Sequence, residues 1–523
     1  MASTKLILSS TTALTAKYGA DLTPIANAIE ALAAADAARG ITSLYVPLDD
    51  TAAMQRMGVA PVASSQDQKQ IKDAVDSLYR THNPDYILLL GSLDVIPHQD
   101  LDNPLFDPSG NGLDPDAKIA SDLPYACEEP YSTTAGGFNS ITRVVARLPD
   151  ITGGSDQSYL AGLLTTAAGA QTRSAADYKP YLGVSTQSWF VSTQDSVTQL
   201  FKDSDALQIS PNQGPQWTGE QLSSLIHFFN CHGNPSRSQF FGQLGDLEPV
   251  SHDAAFVAGK LKDGTVAAME CCYGADLYDP GIGQPPMGNT YLASGAYGYL
   301  GSTTVSYGGE TSTACADILC WTFLNNVLSG RSLGHALLLA RQTFLQASGS
   351  AVEPHNAKAL AQFILLGDPS IQPVTFNGSL APAPAPPGPG PALVPKALDV
   401  LDTERAQRRR QLFTRGLQIG AQHSPVHKRA SRRRTRSLES ALQSLAEARS
   451  LRDARIMSYS PPREPRESRQ IPEELRRRAP WPDGIHAIFG RYGQTRGGQG
   501  FVRLLMVQTR NDQVIQLKEL HAR

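Results

Sequence analysis

Two apolar segments of the chain end in residues that can perform nucleophilic catalysis. The segment LIHFFNCHGNP contains His232-Gly233, and the segment TVAAMECCYGAD contains Cys272. A cysteine nucleophile needs a base within hydrogen-bond reach and amide donors for the oxyanion. We therefore predict that Cys272 is the nucleophile and that His232 acts as the base or protonates the leaving amine. The backbone N–H groups of Gly233 and Cys272 would hold the oxyanion, because Gly233 has no Cβ to obstruct the substrate.

The adjacent cysteines Cys271 and Cys272 are distinguished by strand geometry. Successive side chains on a strand point to opposite faces, so only one of the two thiols can face His232. Gly274 follows Cys272 by two residues and permits a tight turn there, which favours Cys272 and sends Cys271 into the opposite layer. The 40 residues between His232 and Cys272 (272 − 232) leave room for one crossover helix, in SHDAAFVAGKLKDG. We expect the two strands to be neighbours whose carboxyl ends meet at one edge of a parallel sheet.

Strand-like and helix-like segments alternate through the first 375 residues. ITSLYVPL and DYILLLGSLDVIP are typical of strands, and QDQKQIKDAVDSLYRTH carries Ile71, Val75 and Leu78 at helical spacing. Continuous apolar strands that alternate with helices indicate parallel sheets covered on both faces. Two such cycles predict an α/β fold with an N-terminal α/β subdomain at residues 1–170 and a catalytic α/β subdomain at residues 171–378.

The composition changes abruptly near residue 381. APAPAPPGPGPALVPK indicates a stiff Pro-rich linker at residues 379–397. The arginine-rich residues 398–480 are predicted to be partly helical or disordered. GFVRLLMVQTR and QVIQLKEL flank Asn-Asp, which predicts a small β-hairpin module at residues 481–523. The chain therefore ends in a small C-terminal α+β appendage.

The strand ending in His-Gly and the strand ending in a Glu-Cys-Cys-Tyr-Gly turn resemble the caspase-type cysteine peptidases. The ordered set DYILLLGSLDVIP, SDLPYA, ITRVVARLP and AQFILLGDPSIQP, within residues 40–375, is most similar to the gingipain-type family. The resemblance implies a caspase-like three-layer α/β/α sandwich in two subdomains. It also implies endopeptidase activity through a thioester acyl-enzyme.

Acidic residues gain candidate roles from the same resemblance. The family implies a carboxylate that orients His232, and Asp122 in SDLPY is the candidate. Gingipain-like enzymes cleave after basic residues, so a basic residue before the scissile bond (P1) is expected. The candidate substrate-binding carboxylates are Glu128, Glu129 and Glu270, although the sequence does not assign the specificity pocket to any one of them.

Bulk properties restrict the other function classes. A net charge of −3 over 523 residues excludes a polyanion mimic and a general nucleic-acid binder. Six cysteines are too few for a disulfide scaffold, and no apolar run or leader indicates a membrane span or secretion, so a cytoplasmic protein is expected. No cofactor or metal is expected. A zinc site made of Cys231, His232, Cys271 and Cys272 is the alternative chemistry, but adjacent ligands on a strand diverge.

The basic region permits three interpretations: a solvated linker, a site of autocleavage or regulation, and a nucleic-acid-binding segment. RRR at 408–410 and SRRRTR at 431–436 would suit an arginine-preferring enzyme as internal substrates, whereas base-stacking aromatics are nearly absent from 400 to 480. We expect the region to keep the peptidase latent until a signal, an activating ligand or cleavage releases it, as suits a bacterial defence or cell-death role. The alternative is an inactive caspase-like scaffold that binds partners through the tail.

Overall fold

A computed structural model describes residues 3–108, 114–211, 213–348, 351–376, 404–425, 427–428, 434–461, 481–493 and 500–523. No helix in these ranges combines the length and apolarity that a membrane crossing requires. We call residues 3–376 the catalytic region and residues 404–523 the C-terminal region. The Pro-rich linker predicted at 379–397 lies outside the described residues.

The first half of the catalytic region alternates strands and helices as predicted. Its elements are β1 Ser3–Ser9, α1 Thr11–Tyr18, α2 Thr23–Ala38, β2 Ile41–Pro47, α3 Thr51–Arg56, α4 Gln68–His82, β3 Tyr86–Leu90, β4 Gln99–Asp102, β5 Lys118–Ser121, β6 Val145–Leu148 and α5 Gln157–Ala168.

The helix α4 shows why the sequence pattern was informative. Its N-cap Asp67 accepts from the backbone N–H of Gln70, and it ends at Asn83 in a left-handed conformation. Ile71, Val75 and Leu78, the residues at helical spacing, are fully buried against the sheet. The helix predicted from this periodicity is confirmed.

The second half contains more short elements than the sequence pattern indicated. Its elements are β7 Tyr181–Thr186, α6 Phe190–Phe201, β8 Leu207–Ser210, α7 Gly219–Leu222, β9 Ile226–Asn230, β10 His232–Gly233, β11 Gln239–Phe241, β12 Val250–Asp253, α8 Ala254–Val257, β13 Val266–Met269, α9 Met287–Ala293, β14 Gly298–Ser302, β15 Tyr307–Gly308, α10 Ala316–Leu328, α11 Leu333–Ala347, β16 Ala351–Val352, α12 Pro354–Gln362 and β17 Phe363–Gly367.

One ten-stranded sheet joins the two halves, in the order β2-β1-β3-β6-β17-β14-β13-β9-β7-β8. Neighbouring strands are parallel except at β14–β17, where Leu300 lies opposite Leu365 in antiparallel register. The predominantly parallel sheet and its flanking helices form the caspase-like α/β/α arrangement that the resemblance implied. Because the halves meet through strand pairing, their apolar residues belong to one continuous core.

The C-terminal region is a second, antiparallel sheet rather than an isolated hairpin. Its elements are α13 Glu404–Gln422, β18 Ser424–Pro425, β19 His427–Lys428, α14 Arg436–Ala448, β20 Arg452–Ser460, β21 Gly484–Tyr492, β22 Phe501–Arg510 and β23 Gln513–Ala522. The sheet order is β15-β23-β22-β21-β20-β19, so it takes strands from both sides of residue 480 and adds β15 of the catalytic region.

The predicted hairpin is confirmed as β22 and β23, which pair antiparallel. Asn511 and Asp512 connect them with φ values of 49° and 61°, which two-residue hairpin turns of type I′ require. Period-two alternation on the sheet then sends side chains to two different cores. Phe489 packs into the core of the catalytic region, whereas its neighbour Ile488 packs against α14. The C-terminal region is therefore docked on the catalytic region through an apolar sheet face.

Candidate active site

The two strands that carry the candidate catalytic residues are direct neighbours, as predicted. β9 and β13 pair in parallel, with Phe229 opposite Met269. His232 and Cys272 follow the carboxyl ends of these strands, at the same edge of the sheet. The connection between them contains the antiparallel strands β10, β11 and β12, and the crossover helix expected in SHDAAFVAGKLKDG is the single turn α8.

The backbone of Gly233 lies directly against the Cys272 peptide. A Cβ at position 233 would lie 1.8 Å from the Cys272 carbonyl oxygen and 3.3 Å from its nitrogen. Only glycine fits this approach, because atoms at 1.8 Å overlap. The structure thus brings the His232-Gly233 and Cys272 segments together.

The Cys272 thiol is enclosed in this structure. Its side chain is buried, and Sγ accepts from the backbone N–H of Ser306 at 3.2 Å and lies 3.5 Å from the Ser306 carbonyl oxygen. Burial raises the pKa of Cys272 to about 12, so the thiol is protonated at neutral pH. Cys271 lies in another environment, with Sγ 3.9 Å from the Phe229 carbonyl oxygen and its electrostatic neighbours including Tyr291.

The imidazole of His232 is enclosed by residues from both regions. Its Nε2 lies 3.0 Å from Gln243 Oε1, an acceptor that suits a protonated Nε2. Trp189 meets the ring edge-on at 4.4 Å between centroids, and Phe501 of the C-terminal region stacks on it at 5.5 Å. Burial, with the nearby charge of Arg523, lowers the pKa of His232 to about 4. The ring is therefore neutral in this state.

Asp122 lies elsewhere, and in this structure it does not orient His232. It accepts from Arg147 Nη2 at 2.6 Å and Nε at 2.9 Å, and its Oδ1 lies 2.9 Å from His98 Nδ1. Although burial opposes it, Arg147 and His98 hold the pKa of Asp122 below its usual range. The polar groups near His232 Nε2 include Gln243 and, at 3.9 Å, Glu248.

Glu128 and Glu129 also have structural partners. Glu128 Oε1 accepts from Arg143 Nε at 3.0 Å and from the Thr142 hydroxyl at 2.8 Å. Glu129 accepts from the backbone N–H of Ser140 at 2.7 Å. The contacts of both carboxylates therefore hold the 139–143 segment in place.

Arg523 occupies the candidate site in an extended, substrate-like pose. It follows β23, which pairs antiparallel with β15, with Ala522 opposite Tyr307. The backbone N–H of Arg523 donates to the Ser306 carbonyl at 2.9 Å, and its carbonyl oxygen accepts from the Cys272 N–H at 3.3 Å. The amide predicted to hold an oxyanion thus already holds a carbonyl of the chain itself.

The Arg523 side chain fills a pocket built for a guanidinium. Its Nη2 donates to Asp317 Oδ1 at 2.6 Å and to the Gly309 carbonyl at 2.9 Å, and Nη1 donates to Asn230 Oδ1. The Trp189 ring lies 4.7 Å from the guanidinium carbon. Acceptors spread around a planar fork favour arginine over the single ammonium of lysine.

Glu270 lies beside this pocket, as its candidate role in substrate binding requires. It is fully buried, and burial together with the charge of Asp317 raises its pKa well above the usual range. This shift favours the protonated form of Glu270, and Asp317 is the carboxylate that directly contacts the Arg523 guanidinium.

Glycine at position 308 makes room for the guanidinium. A Cβ there would lie 2.0 Å from Arg523 Nη2 and 2.4 Å from Cζ. The following loop is fixed by Asp317 Oδ2, which accepts from the backbone N–H groups of Gly309 at 2.9 Å and Ala314 at 2.8 Å. One carboxylate thus shapes the loop with one oxygen and binds the guanidinium with the other.

Possible metal ligands converge at one place in the described ranges. Atoms of Glu310, Glu519 and His521 lie within 4.8 Å of one another. Arg503 Nη1 is 2.9 Å from Glu519 Oε1, and Arg449 Nε is 3.0 Å from its Oε2. These arginines already neutralise Glu519 and oppose an added cation. The four ligands of the alternative zinc site form no such group.

Sequence reasoning missed the pocket because its members are far apart in the chain. Trp189, Asn230, Asp317 and Arg523 come from four separate segments. Two signals were available: Asp317 is an acidic residue in the otherwise apolar run CADILCWTF, and Arg523 comes shortly after the predicted strand segment QVIQLKEL.

Comparisons with known proteins give the family. A search of curated proteins returned no match. A solved structure described as "Structure of Protease" is similar with a TM-score of 0.43 and 12% identity, over 99% of this chain and 96% of that chain. The model of peptidase family C25 matches residues 11–374, which contain every residue of the candidate site except those of the C-terminal region. Because this match covers more than half of the sequence, the chain belongs to peptidase family C25, the gingipain family of clan CD cysteine peptidases.

Proposed function

We propose that this cysteine peptidase is an endopeptidase that cleaves after arginine and is held latent by its C-terminal region. The main observation behind the proposal is the position of Arg523 in the candidate site. Its carbonyl accepts from the Cys272 amide while its guanidinium meets Asp317, both in the manner expected of a P1 arginine. A basic P1 residue was expected from the family resemblance, and the guanidinium pocket supports arginine in particular.

The proposed chemistry uses Cys272 and His232. The thiol proton passes to the imidazole, Sγ bonds to the scissile carbonyl carbon, and the amide N–H of Cys272 stabilises the oxyanion. Imidazolium then protonates the leaving amine as the C–N bond breaks. Water, deprotonated by the same imidazole, hydrolyses the thioester and regenerates the thiol.

The protonation states of the docked chain support latency. A thiol pKa of about 12 and an imidazole pKa of about 4 leave both catalytic groups neutral and unreactive between pH 5 and 9. Burial is the main cause of both shifts, and Phe501 and Arg523 of the C-terminal region contribute to that burial. Withdrawal of this region would readmit water, lower the thiol pKa and raise the imidazole pKa.

The docking of the C-terminal region is extensive enough to keep the enzyme closed. The apolar sheet face includes Phe489, Leu504 and Leu520, which pack into the catalytic core. Polar contacts reinforce it: the Tyr459 hydroxyl donates to the Pro104 carbonyl at 2.8 Å, and Gln508 Nε2 donates to Glu353 at 2.6 Å. A stimulus that loosens this face, such as an activating ligand, is therefore the expected trigger.

The proposed preference for arginine extends to autoprocessing, in which the peptidase would cut its own basic region. Arg409 lies on α13 and contacts Asp85 at 3.2 Å, so the RRR segment at 408–410 is helical and docked. A peptidase binds its substrate extended, so α13 must unwind before it can be cut. Most of SRRRTR lies outside the described residues. A cytoplasmic location and a role in defence or cell death suit a peptidase that its own chain holds shut.

The inactive-scaffold alternative makes the opposite prediction for peptide hydrolysis. The test compares wild type, Arg523→Glu, Arg523→Ala and Arg523→Glu/Cys272→Ala on peptides that differ only in P1: Arg, Lys or Ala. Arg510→Glu, an exposed position on β22 of the same sheet, is the matched charge control. Both Arg523 variants should cleave the Arg peptide at least tenfold faster than wild type, with Arg preferred over Lys. The Cys272→Ala chain should be inactive and Arg510→Glu should match wild type.

Failure of every variant to cleave any peptide, with folding intact by circular dichroism, would favour the scaffold. Cleavage without preference for Arg would reject the specificity. Equal rates for wild type and both Arg523 variants would reject latency through Arg523.

A further inference from the structure

We propose that Glu310 is a specificity-determining residue that selects a cationic side chain two residues before the P1 arginine, at P3. This inference rests on the proposed function, because it treats β23 and Arg523 as a stand-in for a bound substrate. It adds that substrates carry Lys, Arg or protonated His at P3.

The register of β23 identifies the P3 position. β15 and β23 pair with Gly308 opposite His521 and Tyr307 opposite Ala522, and Arg523 follows in the pocket. A substrate that adds to the same edge would reuse these backbone pairings, as peptides do when they extend a sheet. His521 therefore marks where a P3 side chain lies.

The contacts of His521 show which residue would bind the P3 side chain of a substrate. Its Nε2 lies 3.0 Å from Glu310 Oε2 and 3.7 Å from Glu519 Oε1, and its Nδ1 lies 3.0 Å from the Tyr492 hydroxyl. Tyr492 and Glu519 belong to the C-terminal region and would leave with it. Glu310 belongs to the catalytic region and would remain at the open edge.

Glu310 is well placed to act on an incoming residue. It directly follows Gly309, whose carbonyl binds the P1 guanidinium, on the loop that Asp317 fixes. Its side chain is 39% exposed beside the almost fully buried His521. In the docked chain the contact with His521 lowers its pKa, against the opposing effect of partial burial. A glutamate without these partners is also a carboxylate at neutral pH. One loop thus contributes both to the pocket that binds the P1 arginine and, through Glu310, to a negatively charged contact for the P3 side chain.

The test uses the full chain opened by Arg523→Glu, with three peptides that share Ala at P2 and Arg at P1 but carry Lys, Ala or Glu at P3. We expect kcat/KM to fall in the order Lys, Ala, Glu, by about tenfold from Lys to Glu, as partly exposed charge pairs allow. Adding Glu310→Gln should reduce this ratio to about twofold. Adding Glu30→Gln, an exposed glutamate on α2, should leave the ratio intact.

The outcomes separate this inference from the proposed function. No cleavage after Arg by any opened chain rejects both. Cleavage after Arg with equal rates for Lys and Glu at P3 rejects the inference and leaves the proposed function standing. A Lys preference that survives Glu310→Gln assigns the selection to another residue and also rejects it. High ionic strength provides the second readout, because screening should shrink a preference that is electrostatic.

Discussion

The Arg523 guanidinium and the Asp317 carboxylate form a 2.6 Å ion pair across 206 residues of sequence, with both side chains fully buried. Burying two charges is costly, and geometry offsets the cost only when the remaining polar atoms are also bonded. Here Asn230 Oδ1 accepts from Nη1, the Gly309 carbonyl accepts from Nη2, and backbone N–H groups bind the second Asp317 oxygen, while Nε has no partner among the described residues. The same ion pair can therefore determine the preference for a P1 arginine and hold the C-terminal region in the active site.

The first prediction is that Asp317→Asn weakens both functions. In the otherwise native chain it leaves the Arg523 charge buried without its partner, so the free energy of unfolding should fall by about 3–5 kcal/mol. In the Arg523→Glu background, kcat/KM for Arg peptides should fall by about 100-fold. Denaturant unfolding and peptide assays measure the two effects. Asp73→Asn, which removes an exposed helical ion pair with Lys69, is the control and should change neither quantity measurably.

The second prediction concerns the space above Gly308. Gly308→Ala places a Cβ 2.0 Å from Arg523 Nη2, so a guanidinium must move away from the position that it holds in the pocket. The variant should lose hydrolysis of Arg peptides even when Arg523→Glu opens the site, while thiol reactivity at Cys272 persists. Gly162→Ala on α5, where a Cβ meets nothing within 4 Å, is the matched control and should retain activity. If Gly308→Ala hydrolysed Arg peptides as fast as its parent, the P1 arginine would have to bind at a different place.

Local patterns explain which features the sequence could predict. The α/β alternation, the pairing of β9 with β13 and the hairpin around Asn511-Asp512 follow from hydrophobic period and turn chemistry, which act over a few residues. Cys271 and Cys272 lie in the turn that follows β13, so their different environments come from the turn and not from the strand alternation that the sequence suggested.

Features that depend on long-range partners were not predictable in this way. Asp122 follows a motif in the sequence, yet Arg147 and His98 compete for its carboxylate, and nothing local reveals them. β15 contains only two residues, too few for a sequence pattern, although its pairing with β23 closes the site. Asp317 became identifiable only once the fold brought Arg523 to it.

The third prediction concerns the reactivity of the Cys272 thiol. A pKa of about 12 leaves on the order of 10⁻⁴ or less of the thiol ionised at neutral pH, so iodoacetamide should alkylate it slowly in the native chain. Arg523→Glu should speed this labelling by at least tenfold, because water reaches the thiol and lowers its pKa. Mass spectrometry resolves the site, with the buried Cys271 as internal control that stays unlabelled in both proteins. Equally fast labelling of Cys272 in both would contradict enclosure by the C-terminal region.

The last prediction is acid destabilisation by buried neutral histidines. Burial lowers the pKa of His227 to about 4 and that of His252 well below its usual value, and both rings lie within 3.0 Å of the Tyr291 hydroxyl. Because an unfolded histidine titrates near 6.5, the unfolded state binds more protons below that pH. Their contribution is therefore fully present above pH 6.5 and declines as the pH falls toward 4, by up to about 1.4 kcal/mol per pH unit for each ring.

Denaturant unfolding at pH 7.5, 6.0 and 5.0 measures this slope before most carboxylates titrate. His227→Gln should have a lower free energy of unfolding than wild type at pH 7.5 but should lose less of it on acidification. The difference between the two pH slopes gives the contribution of the His227 ring. His82→Gln replaces a half-buried histidine near the chain surface and should keep the wild-type slope. If the free energy of unfolding depended on pH identically in His227→Gln and wild type, His227 would have to bind a proton in the folded chain. That result would contradict the burial of its ring between its own strand β9 and α9.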